Sequence, residues 1–187
     1  MLKLQTKTRK AETKGETNLL RREGFIPAVV YAHGTDGKPV AISLVEFEAC
    51  VRSIQQGHLP TTRFNLVGED GKKREAVIKE IQYHPTSYKP LHIDFEELVK
   101  DVPINIKVPI ECIGIADCVG IKLGGVLRQV IRYLKVRCLP KDIPSAFKID
   151  IRKLQMKEKR RLSDLQIPET VRPLAKLHEV AVVIAKR

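Results

Sequence analysis

From Val102 to Cys112 the chain alternates with a period of two. Val102, Ile104, Ile106, Val108, Ile110 and Cys112 share one side, and Pro103 and Pro109 fall on the other. That period gathers the apolar set on one face of an extended strand but scatters it around a helix, so the stretch reads as β. Proline cannot donate to a ladder, which predicts an edge or bulged strand. Val130, Leu134, Val136 and Cys138 support a further strand ending at Pro140, and Val180, Val182 and Ile184 support a last one. Gly120, Gly124 and Gly125 read as turns, and the basic run from Lys148 to Arg161 as a solvated turn or helix face.

Upstream the signals are mixed. Leu2 and Leu4 read as a first strand. Residues 17–24 suit a short helix capped by Thr17, with Leu19 and Leu20 facing inward and Gly24 ending it. Pro27 forces an extended chain, Ala28 to Tyr31 is rich in β formers, and Thr35-Asp36-Gly37 turns into a strand over 40–44. Ser43 and Glu46 have capping-box spacing before a helix whose Phe47, Cys50, Val51 and Ile54 recur with helical period, and Gly57 stops it. Strands over 62–67 and 74–83 flank Gly68-Glu69-Asp70-Gly71, a hairpin signature, and Leu91 to Phe95 forms another strand. The first half therefore reads as a curled sheet or small barrel with two helices. The expected division is a domain over 1–95, a charged linker over 96–101, and a β-rich domain over 102–187.

Charge narrows the partner. Lys and Arg number 34 against 22 Asp and Glu, a formal net charge of +12. Nucleic acid is the first candidate for so basic a chain and an anionic membrane surface the second. No apolar stretch approaches the ~20 residues of a spanning helix, and the opening MLKLQTKTRK lacks the apolar core of a secretory signal. The four cysteines contain no Cys-x-x-Cys and read as small hydrophobes in a reducing cytoplasm, with no metal expected.

Two phrases carry the candidate chemistry. Around RREGFIPAVVYAHG, beginning at Arg21, the cations Lys7, Arg9, Lys10, Lys14, Arg21 and Arg22 form a phosphate-binding patch if they converge, and a solvated surface if they do not. Tyr31 suits stacking on a ribose or base as well as it suits a core position. In QYHPTSYKPLHIDF, beginning at Gln82, alternation sets His92 and Asp94 opposite Leu91, Ile93 and Phe95, and puts Gln82 and His84 on one face of the preceding strand. If the strands pair, four hydrogen-bonding side chains share one exterior face, able to reach RNA 2′-hydroxyls, phosphates and minor-groove edges. His92 with Asp94 also has the makings of a catalytic base and its orienter. A metal-dependent hydrolase is therefore the rival from another class, but no Gly-x-Ser-x-Gly or His-Glu-x-x-His motif accompanies the pair. His33, His58 and His178 read as incidental surface or packing residues.

These phrases resemble the bacterial large-subunit ribosomal protein numbered twenty-five, the general stress protein Ctc family, nearly end to end. The pattern is met by Arg9, Lys14-Gly15, Leu20-Arg21, Gly24 and Pro27-Ala28-Val29-Val30-Tyr31, then by Gln82, His84-Pro85 and His92-Ile93-Asp94-Phe95. Gly120-Ile121-Lys122-Leu123-Gly124-Gly125-Val126-Leu127 and Cys138-Leu139-Pro140-Lys141-Asp142-Ile143-Pro144 are similar to the longer, two-domain members.

The resemblance implies a mainly β protein with minor α: an N-terminal β-barrel with two short helices that binds 5S rRNA in the central protuberance, then a C-terminal β-rich domain. It implies a cytoplasmic, ribosome-associated structural constituent of the large subunit beside neighbouring ribosomal proteins, with no catalysis, cofactor, membrane or small-molecule substrate. Expected RNA-binding residues are Arg9, Lys14, Arg21 and Arg22 on phosphates, and Tyr31, Gln82, His84, His92 and Asp94 on sugar or base edges. The anticodon-binding region of glutaminyl-tRNA synthetase resembles the same barrel, so tRNA binding is the alternative. Departures from the pattern are Asn18 and Leu19 in place of arginines, Ala32 in place of a glycine, and Met156-Lys157-Glu158-Lys159 in place of a Gly-Asp turn.

Overall fold

The structure is a computed structural model that describes residues 2–9, 13–32 and 34–186. The chain divides into two compact units, Met1–Ile104 and Asn105–Arg187.

In the first unit the strands are β1 (Leu2–Thr8), β2 (Phe25–Tyr31), β3 (Lys38–Ser43), β4 (Arg63–Val67), β5 (Lys73–Tyr83) and β6 (Pro90–Glu97), with helices α1 (Lys14–Arg22) and α2 (Leu44–Ser53). They close into a barrel in the order β1-β3-β2-β6-β5-β4. The pairs β1/β4 and β2/β6 are parallel and the others antiparallel. Closure leaves no strand edge open to further pairing. Leu4, Ile26, Ala28, Val30, Ile42, Phe64, Leu66, Ile93 and Phe95 fill the interior, and Phe64 meets Phe95 edge to face at 6.2 Å. One side of α2 completes this core: Phe47 is buried, and Cys50, Val51 and Ile54 pack against it.

Several local expectations are corrected. The first helix begins earlier than residue 17, because Thr13 rather than Thr17 caps it. The Thr13 hydroxyl accepts from Glu16 N–H while the Glu16 carboxylate accepts from Thr13 N–H, a reciprocal capping box. Leu19 does not face inward; it is 56% exposed, and α1 buries none of its residues. The helix is followed as expected by Gly24, at φ +83. Ser43 does precede α2, but its side chain makes no cap bond. Glu46 instead accepts from Gln5 N–H at 3.3 Å, tying α2 to β1. Glu96 and Glu97, expected in a linker, complete β6.

The second unit is β-rich. Its strands are β7 (Ile104–Ile113), β8 (Gly125–Gln129), β9 (Tyr133–Cys138), β10 (Phe147–Asp150), β11 (Lys159–Arg161), β12 (Arg172–Pro173) and β13 (Val180–Lys186), with one short helix, α3 (Val119–Lys122). They form a four-stranded sheet, β10-β7-β9-β12, and a three-stranded sheet, β11-β13-β8. The alternating strand β7 is thus not at an edge. Its parallel pairing with β10 runs from Ile110 to Ile113, so Pro109 lies just before that ladder and its missing donor costs no bond there. The basic run from Lys148 to Arg161 is β10, turns and β11 rather than a helix.

Of the three glycines expected in turns, only Gly124 has a positive φ. Gly120 and Gly125 serve close approach. A Cβ on Gly125 would stand 2.6 Å from Gly120 O and 2.7 Å from Ile184 Cγ2, and one on Gly120 would strike Gln155 C at 2.9 Å. The Gly-x-x-x-Gly-Gly run thereby lets α3 lie against the start of β8 and against Ile184 of β13.

In the atypical turn, Lys157 adopts φ +69 and donates its N–H to Ile184 O. A side chain there costs ~1–2 kcal/mol, partly offset by the ~0.4–1 kcal/mol that glycine loses through its freer unfolded chain. Lys157→Gly is expected to stabilise the second unit by about 0.5–1 kcal/mol in urea unfolding. A lower midpoint would show that the lysine compensates for its backbone.

Candidate nucleic-acid interface

Register decides which polar groups meet. Across β5 and β6, Gln82 lies opposite His92 and Glu80 opposite Asp94. Across β2 and β6, Tyr31 lies opposite Glu96 and Val29 opposite Asp94. The inward partners are Ile81 with Ile93, Ile78 with Phe95, and Ala28 with Ile93. Alternation therefore puts Tyr31, Gln82, His92 and Asp94 on one exterior face. The register shift between Ile78 and Glu80 marks a bulge at Lys79, which restores Gln82 to that face despite the three-residue spacing of Ile78 and Ile81. Lys79 pairs there with the buried Glu96 carboxylate.

Two acidic groups on this face are partnered, Glu96 by Lys79 and Asp94 by His92. Asp94 Oδ1 lies 2.7 Å from His92 Nδ1, the two side chains being 34% and 24% exposed. A carboxylate only accepts, so Nδ1 carries its proton toward Asp94; when the ring is neutral, Nε2 is left as an acceptor. Burial, then Glu96, Asp94 and Glu80, hold the Tyr31 phenol above its usual pKa, so it stays a hydroxyl donor.

His84 stands elsewhere than expected. It follows the end of β5, in the turn leading to β6, and not on the strand face with Gln82. Its Nδ1 accepts from Thr86 N–H at 3.4 Å and Ser87 N–H at 3.3 Å. The ring proton accordingly sits on Nε2, a donor. With both rings neutral the two histidines present opposite roles, His92 an acceptor and His84 a donor. Tyr88, in the same turn, is 78% exposed at φ +54, and no sequence pattern marks it.

The cations reach this face through one contact that no sequence pattern shows. Arg21 on α1 donates from Nε at 3.2 Å and from Nη2 at 3.1 Å to Leu91 O, next to His92. Its Nη1 donates to Asn18 Oδ1 at 3.1 Å, so Asn18 steadies the guanidinium. Arg9 donates Nε–H to Val40 O, and its pKa is lowered by burial and then by the charge of Arg21, which places the two guanidinium groups in one field. Lys14 and Arg22 are exposed on α1. Lys7 Nζ lies 4.7 Å from the centre of the Phe25 ring. Lys10 and His33 fall outside the described residues.

Among the described residues no group of three or more His, Cys, Asp or Glu side chains is arranged to hold a metal, and no helix is long and apolar enough to cross a membrane. Burial raises the pKa of the Cys50 thiol, with Glu46 adding to it, and that of the Cys112 thiol, away from nucleophilic character.

Two family models match in tandem: the Ribosomal L25p family over residues 4–95, and the C-terminal domain of ribosomal protein TL5 over 103–187. Relatives along the full length of both chains include the large ribosomal subunit protein bL25 of Chlamydia abortus, 43% identical over 186 residues, and that of Chlamydia muridarum, 42% identical. A barrel carrying the first family's match, a β-rich unit carrying the second, and full-length identity above 40% give one conclusion: the chain belongs to the L25p family of ribosomal proteins, in the long form with a TL5-type C-terminal domain.

Proposed function

We propose that this chain is a structural constituent of the large ribosomal subunit and that its barrel binds 5S rRNA. Association with the large subunit follows from its full-length kinship with large-subunit proteins. The finer reading rests chiefly on the Arg21 contact to Leu91 O, which fixes the cation-bearing helix beside the strand whose exterior carries His92 and Asp94. Arg9, Lys14, Arg21 and Arg22 neutralise phosphates without reading sequence. Tyr31 and His84 offer donors to phosphate or 2′-hydroxyl oxygens. His92 Nε2 accepts from a 2′-hydroxyl or a guanine amino group, and Gln82 opposite it both donates and accepts. The Asp94 carboxylate orients His92. The role is architectural, carried out on ribosomes in the cytoplasm.

Filter binding of the full chain to 5S rRNA, to tRNA and to an unrelated stem-loop tests this. Tight binding to 5S rRNA alone is expected, and equal affinity for tRNA would favour the alternative barrel function. His92→Ala should narrow the preference for 5S rRNA by about tenfold, consistent with ~1–3 kcal/mol per specific contact. Arg22→Ala should weaken all three RNAs alike. Equal losses from both variants on every RNA would refute the division between reading and anchoring.

A further inference from the structure

The turn between β5 and β6, His84–Lys89, holds an unusual residue. Every side chain from Gln82 to Lys89 is exposed. The turn is nevertheless tightly built: His84 N–H donates to Lys89 O and Tyr88 N–H to His84 O, each at 2.9 Å, while His84 Nδ1 collects the N–H groups of Thr86 and Ser87. Tyr88 adopts φ +54, a conformation that opposes any residue with a Cβ and that glycine takes freely. Its ring is 78% exposed, so packing returns little for that strain. Backbone strain at an exposed, well-fixed position points to function.

Composition sharpens this. The chain has no tryptophan and four tyrosines, and two of those, Tyr83 and Tyr88, stand exposed at this tip. Residues 82–90, QYHPTSYKP, include no Asp or Glu, whereas Lys89 adjoins Tyr88. The turn also continues directly from the paired Gln82 and His92. An accessible ring beside a cation, free of acidic neighbours, matches the π-face and phosphate of an unpaired nucleotide. We propose that Tyr88 is a stacking platform for an unpaired base of the bound RNA, next to the segment contacted by Gln82 and His92. This rests on the 5S rRNA reading above. The strained turn sets the ring before binding, so less ordering is needed when the base arrives.

The test compares the full chain with Tyr88→Gly, Tyr88→Phe and Tyr88→Trp in filter binding to transcribed 5S rRNA. Glycine suits the backbone, so Tyr88→Gly should melt at or above the parent temperature, which separates a binding defect from misfolding. Stacking predicts that Tyr88→Gly weakens binding by about tenfold to a hundredfold, with phenylalanine and tryptophan within about twofold of tyrosine. The salt slope should be unchanged because no charge is removed. Chemical probing of the complex should show one or two unpaired nucleotides becoming reactive with Tyr88→Gly alone. If the parent protein binds 5S rRNA and Tyr88→Gly binds equally well, stacking is refuted and the broader reading survives. Equal losses from Gly and Phe would assign the contact to the hydroxyl and also overturn stacking. A parent protein with no preference for 5S rRNA would overturn both.

Discussion

Replacing Phe95 with alanine should destabilise the barrel by about 3–5 kcal/mol and remove RNA binding with it. Phe95 is fully buried and meets Phe64 across the barrel interior. On one side it lies opposite Val30 of β2, and on the other opposite Ile78 of β5. Removing the ring therefore opens a cavity bounded by both flanking strands, not a dent that one loop can fill. The loss is a large part of the ~5–15 kcal/mol that holds a domain of this size. The same strand carries the polar face one residue out of phase, Asp94 beside Phe95 and His92 beside Ile93, so a collapse inside tilts the pair outside. Urea unfolding of the full chain should show the transition of the first unit at much lower denaturant and that of the second unit in place. A single unshifted curve would show that Phe95 is not central to the core.

How much of this was legible follows from which forces leave a periodic trace. Burial does: the alternating strand β7, the apolar face of α2 and the His92/Asp94 face all follow from side-chain period. Where nothing is buried, no such trace is left. Helix α1 packs no fully buried residue, so its apolar pattern gives no start, and the cap falls at Thr13, whose spacing to Glu16 is that of a capping box, and not at Thr17. Ser43 and Glu46 have the same spacing, yet Glu46 turns away to Gln5 N–H, a partner forty-one residues distant. The bulge at Lys79 breaks alternation, which is why Ile78 and Ile81 both point inward at a spacing that looks helical. In the site, Gln82, His92 and Asp94 could be placed by parity. The position of His84 in a turn, the hold of Arg21 on Leu91 O and the strain at Tyr88 depend on backbone geometry and long-range contacts, which residue types do not encode locally.

Salt should weaken the complex with 5S rRNA by about 50- to 150-fold between 50 and 200 mM, since four phosphate contacts at ~0.7–0.9 logarithmic units each give a slope near −3. The four cations are not equivalent. Arg22 is exposed on α1, so Arg22→Ala removes charge and little else, and it should flatten the slope by about 0.7–0.9 while affinity extrapolated to high salt stays the same. Arg21→Ala should flatten the slope by a similar amount and also lower the extrapolated affinity. Its guanidinium ties α1 to Leu91 O, and without it the helix that carries Lys14 and Arg22 loses that tie to β6. Asn18 and Leu19 sit on that helix, at the two positions where the resemblance leads one to expect arginines. Restoring one of them as Leu19→Arg, at a position already 56% exposed, should steepen the slope by the amount that Arg22→Ala removes. A slope indifferent to all three changes would mean that α1 does not face the phosphates, and the cationic half of the interface would have to be sought on another surface of the barrel.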